Sequence, residues 1–175
     1  VMDQFLASVE KRAFTMAKFA VGNRDDALDI VQDAMLALVK NYSGRNSQEW
    51  RPLFFTILNN RITDWHRRRK NLSRWQLLKE KLPVSGAGDE WDLCEFPDPN
   101  GRSPDSVLVG ERTIDAIDCA IGKLPPRQQQ AFLLRCVEGF DVSETAQTMA
   151  CSQGSVKTHL SRALRSLRVH LEAME

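Results

Sequence analysis

The chain has 175 residues, 42% of them hydrophobic, and a formal net charge of +1 from 24 basic and 23 acidic side chains. That length suits one globular domain or two small ones, and no run of about 18 apolar residues is present to span a membrane. A near-neutral total says nothing of nucleic acid, but the distribution of charge does. Arg61, Arg67, Arg68, Arg69, Lys70 and Arg74 crowd one stretch, and the C-terminal end adds Lys157, Arg162, Arg165 and Arg168. Between these basic regions lie Asp89, Glu90, Asp92, Glu95, Asp98 and Asp105 against Arg102 alone. Two basic modules around an acidic middle fit a protein that touches DNA twice. Charges arrive too early at the N-terminus for the apolar core of a signal peptide, which predicts a cytoplasmic protein.

In chain order, the spacing of apolar residues predicts helices near 3–22, 24–42 and 50–72, with a short amphipathic fourth piece possible at 73–82. Period-two β-branched runs are absent, so the predicted class is all-α. Over 24–42, Ala27, Ile30, Val31, Ala34, Met35 and Leu38 fall on one side and predict a core face. Asp29, Gln32, Asp33 and Lys40 take the other side, and Leu36 points outward among them. A lone exposed leucine needs no explanation, yet ringed by polar groups it is also the pattern of a small protein interface.

The helix predicted at 50–72 changes character along its length. Leu53, Phe54, Ile57, Leu58, Ile62 and Trp65 are apolar, whereas Asn59, Asn60, Thr63, Asp64, His66 and Arg67 form a polar strip predicted to face away. Phe54, Phe55 and Leu58 read as core. Asn60 and the cations that follow can hold unstacked bases by edge hydrogen bonds and phosphate contacts. Four adjacent cations repel unless a polyanion accepts them.

Residues 83–105 carry Pro83, Gly86, Gly88, Pro97, Pro99, Gly101 and Pro104, which predicts a flexible acidic linker. Cys94, Cys119, Cys136 and Cys151 form no CxxC pair and share no ligand spacing with His66, His159 or His170, so neither a structural zinc nor any other cofactor is expected. Cys136, among Leu133, Leu134 and Val137, is expected to be buried as a small hydrophobe.

Helical sequence resumes over 106–174, and its punctuation is informative. Asp141 with Glu144 reads as a capping box, opening a short helix that carries Thr145, Ala146 and Met149. Cys151 and Ser152 follow Ala150, and Ser152 reads as the N-cap of a second helix. That helix places Val156, Leu160, Ala163, Leu164 and Leu167 on one apolar stripe. Ser155, Lys157, Thr158, His159, Ser161, Arg162 and Arg165 lie on the other faces, and no acidic residue occurs from Ser152 to Leu171. A short helix, a tight turn and an acid-free helix together read as a helix-turn-helix.

The order of these features resembles the bacterial extracytoplasmic-function sigma factors, the minimal two-domain class of the sigma-70 family. AVGNRDDALDIVQDAMLALVKNY (20–42) is similar to the family's segment for core RNA polymerase, and FFTILNNRITDWHRRR (54–69) to its −10 segment. Residues 124–168 are similar to its −35-reading helix-turn-helix. The resemblance implies a sigma-2 domain over 1–82, the linker over 83–105 and a sigma-4 domain over 106–175. It implies no enzyme activity: the chain would bind core RNA polymerase, read the −35 and −10 elements of promoter DNA and melt the −10 region. The linker would thread towards the polymerase active centre, and an anti-sigma factor would be a regulatory partner.

Carried over by position, the resemblance assigns Asp29, Gln32, Asp33 and Leu36 to core polymerase, which favours the interface reading of Leu36. It assigns Asn59, Asn60, Arg61, Asp64, Arg67 and Arg68 to the −10 element, with the loop Asn41–Glu49 capturing a flipped base. For the −35 element it assigns Lys157, Thr158 and Ser161, with Ser155, His159, Arg162 and Arg165 beside them. Relatives often carry an aromatic in the base-capturing loop; here Tyr42 and Trp50 stand only at its edges. Leu53 stands where relatives frequently have tryptophan. Two other classes compete. A different helix-turn-helix regulator would need a dimer seam to read two half-sites, and no heptad is present. A nuclease would need clustered carboxylates for Mg²⁺, and the one acidic cluster lies in the linker.

Overall fold

A computed structural model describes residues 1–79 and 109–173, with side chains placed over 1–73 and 115–173. The predicted linker, 83–105, lies outside the described residues. The order is α1 (Met2–Val21), α2 (Arg24–Tyr42), α3 (Ser47–Lys79), α4 (Val109–Gly122), α5 (Pro126–Phe132), a π-helical turn (Leu133–Val137), α6 (Val142–Met149) and α7 (Gln153–Glu172). Among the described residues there is no strand, as the all-α prediction requires.

α1, α2 and α3 pack on one another to form the N-terminal half. Gly22 ends α1 at φ 69°, a left-handed conformation that a Cβ would strain, with its N–H on the Lys18 carbonyl. Asn23 then caps α2, its side chain accepting from the Asp25 N–H at 2.8 Å. Of the predicted core face of α2, Ala27, Ile30, Val31, Ala34 and Leu38 are buried and Met35 half-buried. Asn46 accepts from the Gln48 N–H, so α3 starts at Ser47, ahead of the predicted 50. The predicted base-capturing loop is thereby reduced to 43–46, because Asn41 and Tyr42 end α2 and 47–49 open α3.

α3 also runs on to Lys79 without the expected break near 73, since no proline or glycine occurs between Pro52, in its second turn, and Pro83. The possible fourth piece is a continuation of the same helix as far as it is described.

In the C-terminal half, α4 and α5 pack on α7, and α6 packs beside them. The π-helical turn follows α5, with the Glu138 N–H bonding the Leu133 carbonyl at 2.9 Å. The wider turn changes the register of the side chains. Leu133 and Leu134 stay buried, while Cys136 and Val137 rotate out. The expectation of a buried Cys136 is therefore corrected: its thiol is exposed. Gly139, at φ 70°, turns the chain so that Glu138 and Phe140 on either side both point inward.

The two halves are not separate beads. A single hydrophobic cluster runs from Val9 and Phe54 through Phe55 to Phe140 and Val156. Phe5, Phe54, Phe55 and Phe140 follow one another with ring centroids 6.2, 5.3 and 5.5 Å apart, each pair edge-on.

Candidate nucleic-acid interface

The helix-turn-helix is built as its sequence punctuation predicts. Asp141 accepts from the Glu144 N–H at 2.7 Å, and Glu144 returns a bond from the Asp141 N–H at 2.9 Å. This reciprocal box opens α6, whose Thr145, Ala146 and Met149 are buried. Ala150 ends α6 in the left-handed region at φ 50°, and Ser152 then caps α7 by accepting from the Ser155 N–H at 3.1 Å. Arg127 fastens the turn from a distance in sequence, donating to the Met149 carbonyl at 2.7 Å.

α7 buries Val156, Ala163 and Leu167 and half-buries Leu160. Leu164, predicted to share that stripe, is 48% exposed; it sits at the edge of the packed face and lines an open groove. The same groove is lined by Lys157, Ser161, Arg165 and Arg168, so cations stand beside an apolar floor. Lys157, Thr158, Ser161, Arg162 and Arg165 are all exposed. The Thr158 hydroxyl donates to the Gly154 carbonyl at 3.0 Å, leaving its methyl and its lone pairs for a ligand. Ser155 differs from its neighbours, because its hydroxyl lies 2.9 Å from that of Ser152 and belongs to the cap.

His159 is half-buried, and burial holds its pKa below the ordinary histidine value, with the charges of Arg127 and Arg162 acting in the same direction. The imidazole thus sits in a positive field of the kind that accepts phosphate. Arg127 is a member of this patch that pattern reading missed, since the turn alone brings it beside α7.

On α3, Asn60, Arg67 and Arg68 are exposed, and Arg61 and Asp64 are half-buried. The basic run is less self-repelling than the bare sequence suggests. Arg67 pairs with Asp64 at 3.7 Å, and the Arg69 guanidinium lies 5.1 Å above the Trp65 ring. Burial, followed by the charge of Arg69, lowers the pKa of His66.

Asn59 departs from expectation: it is 3% exposed, and neither its amide nitrogen nor its oxygen has a hydrogen-bond partner. The predicted outward strip therefore begins at Asn60, because Asn59 continues the i, i+4 stripe of Arg51 and Phe55 that faces the C-terminal half. Trp50 is likewise withdrawn from base capture. It is 6% exposed, and its indole N–H donates to the Tyr42 carbonyl at 3.1 Å, tying the ends of the 43–46 loop together.

On α2, Asp29, Gln32, Asp33 and Leu36 are all exposed, Leu36 by 67%. Leu28 and Val39, exposed by 38% and 40%, extend this apolar and acidic surface and had no distinguishing mark in the sequence. The structure also joins two sets of residues that sequence kept apart. Asp29 and Asp33 of α2 line one cleft with Arg61, Asp64, Trp65 and Arg68 of α3.

The comparisons with known proteins agree with this layout. Residues 3–72 match the family described as Sigma-70 region 2, and residues 114–167 match Sigma-70, region 4. The ECF RNA polymerase sigma factor SigX of Bacillus subtilis is 26% identical over 160 residues, covering 89% of this chain and 76% of that protein. The ECF RNA polymerase sigma factor SigE of Mycolicibacterium smegmatis is 26% identical over 172 residues, covering 97% of this chain but 61% of that longer relative. Among solved structures, the sigma factor RpoE of Bartonella quintana, in complex with the anti-sigma factor NepR, superimposes with a TM-score of 0.64. It is 24% identical and covers 97% of this chain and 96% of that one, a likeness of fold. With region 2 and region 4 present in that order on these two helical halves, the chain belongs to the sigma-70 family as an extracytoplasmic-function sigma factor.

Proposed function

We propose that this sigma factor divides its work among three exposed surfaces. α2 offers Asp29, Gln32, Asp33 and Leu36 to core RNA polymerase. The C-terminal part of α3 offers Asn60, Arg61, Asp64, Arg67 and Arg68 to the −10 element, and α7 offers Lys157, Thr158 and Ser161 to base edges of the −35 element. Arg162, Arg165 and His159, with Arg127, hold the sugar-phosphate backbone near that site. The observation that carries the assignment is the exposed face of α7, free of acidic residues as far as Leu171, behind a doubly capped turn, the arrangement that enters a major groove.

Phosphate contacts supply affinity and register, and base-edge contacts supply sequence choice. Melting follows from trapping an extruded base, which offsets an unstacking cost of roughly a few kcal/mol. Sigma factors are non-catalytic regulators of RNA polymerase, and on this reading the chain performs no chemistry of its own. It works in the cytoplasm beside the polymerase; among the described residues no helix is long and apolar enough to cross a membrane. The proposed domain limits are 1–82 and 106–175. An anti-sigma factor is the proposed regulatory partner, by analogy with the RpoE–NepR pair.

Run-off transcription with purified core polymerase tests the assignment. Initiation should require this chain and a promoter with elements roughly 16–18 base pairs apart, as for relatives that read two sites along one duplex. Tight binding of the isolated chain to a palindromic duplex as a dimer would instead favour a different helix-turn-helix regulator.

A further inference from the structure

Two promoter elements roughly 16–18 base pairs apart lie about 55–60 Å apart along the duplex, at 34–36 Å per helical turn. In this structure the halves that carry these surfaces are packed together: α3 lies against α6, and Phe55 of α3 and Phe140, just ahead of α6, are 5.5 Å apart between ring centroids. This arrangement cannot span both elements, so the chain must open to work. The question is what holds it closed.

The seam has a defined construction. Glu138 is wholly enclosed, and its carboxylate lies 3.4 Å from the Arg12 guanidinium and 3.5 Å from that of Arg51. Both arginines come from the other half of the molecule. Arg51 also donates to the Glu138 carbonyl, and its guanidinium lies 4.9 Å over the Phe140 ring. Phe140 is 2% exposed and meets Phe55 edge-on. At the far end of the seam the Gln129 amide donates to the Phe19 carbonyl at 3.1 Å, and to Ile121 within its own half at 3.0 Å.

The seam is also unlike an ordinary core. Neither carboxylate oxygen of Glu138 has a hydrogen bond, nor do the side-chain atoms of Asn59 or the Arg51 Nε. A buried carboxylate without hydrogen bonds is tolerable only while its cations stay in place. Such an ion pair adds little net stability and returns its solvation when it opens. An interface of this kind gives a preferred but reversible contact.

We propose that Glu138 and Phe140 form an intramolecular latch, with Arg12, Arg51 and Phe55 as its catch, that keeps the free sigma factor in a closed resting state. Opening separates the two DNA-reading halves and frees the Arg51–Phe55–Asn59 stripe of α3. Closure itself is independent of the surfaces assigned above; only its effect on initiation rests on that reading.

The test uses the full chain. X-ray scattering of the wild type should give a radius of gyration near the ~16 Å of a compact chain of this length. Arg12→Gln with Arg51→Gln removes the catch from the N-terminal half, where both side chains are about two-fifths exposed, so the helix-turn-helix is untouched. Glu138→Gln with Phe140→Ala removes the latch itself. Both double variants should raise the radius of gyration by a fifth or more, with helix content retained by circular dichroism. At limiting core polymerase, both should increase initiation several-fold. A wild type already expanded in solution would overturn the proposal, as would variants that stay compact. Expansion without any gain in initiation would overturn its regulatory role. If the variants expand but no form, wild type included, initiates transcription, the latch stands and the surface assignment fails.

Discussion

Leu36 and Leu38 stand two residues apart on α2 and face opposite ways, which makes them a paired experiment. Leu36 is 67% exposed and Leu38 is fully buried. Burying a whole leucine side chain contributes about 1.5–3 kcal/mol, so the third of Leu36 that is covered contributes about 1 kcal/mol at most. Part of that is recovered in Leu36→Ala through alanine's better helix propensity. The expected loss is therefore below about 0.7 kcal/mol. Leu38→Ala leaves a cavity in the buried hydrophobic cluster and should cost about 2–5 kcal/mol. Association with core polymerase should rank the two the other way. Leu36 stands at the middle of an exposed face ringed by Asp29, Gln32 and Asp33, the position of an apolar anchor inside a polar rim. Leu36→Ala should weaken core binding by about 10- to 30-fold, the loss of 1.4–2 kcal/mol typical of an anchor truncated to alanine. Thermal unfolding followed by circular dichroism, with fluorescence anisotropy against core polymerase, measures both quantities. If Leu36→Ala melted as early as Leu38→Ala, the outward placement of Leu36 would be wrong. Unchanged core affinity would remove it from the interface.

Three further outcomes are expected. Lys157→Ala and Thr158→Ala should lose about 1–3 kcal/mol on some −35 variants and little on others, whereas Arg165→Ala should weaken all alike and lower the salt slope by about one unit; a panel of promoters at two salt concentrations separates these, and equal losses everywhere would reduce Lys157 and Thr158 to phosphate contacts. Ala150→Gly should stabilise the fold by about 0.5–1 kcal/mol by relieving its left-handed backbone; an unchanged or lower urea midpoint would contradict the turn geometry. His66 and His159 are both held below the ordinary histidine pKa, so the folded chain declines a proton that the unfolded chain accepts below about pH 6.5. Stability is then full above that pH and falls as the pH drops through it, and His66→Gln should flatten the slope of urea midpoints between pH 7.5 and 5.5; a wild-type midpoint that rose on acidification would reverse the sign.

What the sequence made legible and what it hid divide along one physical line. The helices, the capping box at Asp141, the Ser152 cap and the buried face of α2 depend on neighbours within about one turn, and each of these is written in adjacent residues. Arg127 on the turn of the helix-turn-helix, and Asp29 and Asp33 beside Arg61 and Arg68, depend on packing between elements, which no periodicity carries. Cys136 shows the boundary case. Its neighbours read as an α-helical apolar cluster, but one π-helical turn shifts the register and carries the thiol to the surface.

Asn59 carries the argument furthest. By sequence it belongs with Asn60 as a polar residue awaiting a base; in the closed chain it is enclosed with both polar atoms unsatisfied. An asparagine selected only to fill that site would be a poor choice, since a leucine of similar size leaves no unpaired groups. Asn59→Leu should therefore stabilise the closed protein, by an amount on the order of the 1–3 kcal/mol that an unsatisfied buried polar group costs. The same substitution should lower initiation on promoters that depend on the −10 element, because the open form loses a donor and an acceptor. Unfolding and run-off transcription on the one variant decide the matter. A variant that is both less stable and fully active would mean that Asn59 is an ordinary packing residue with partners in solution, and that closure of the two halves asks nothing of the −10 surface.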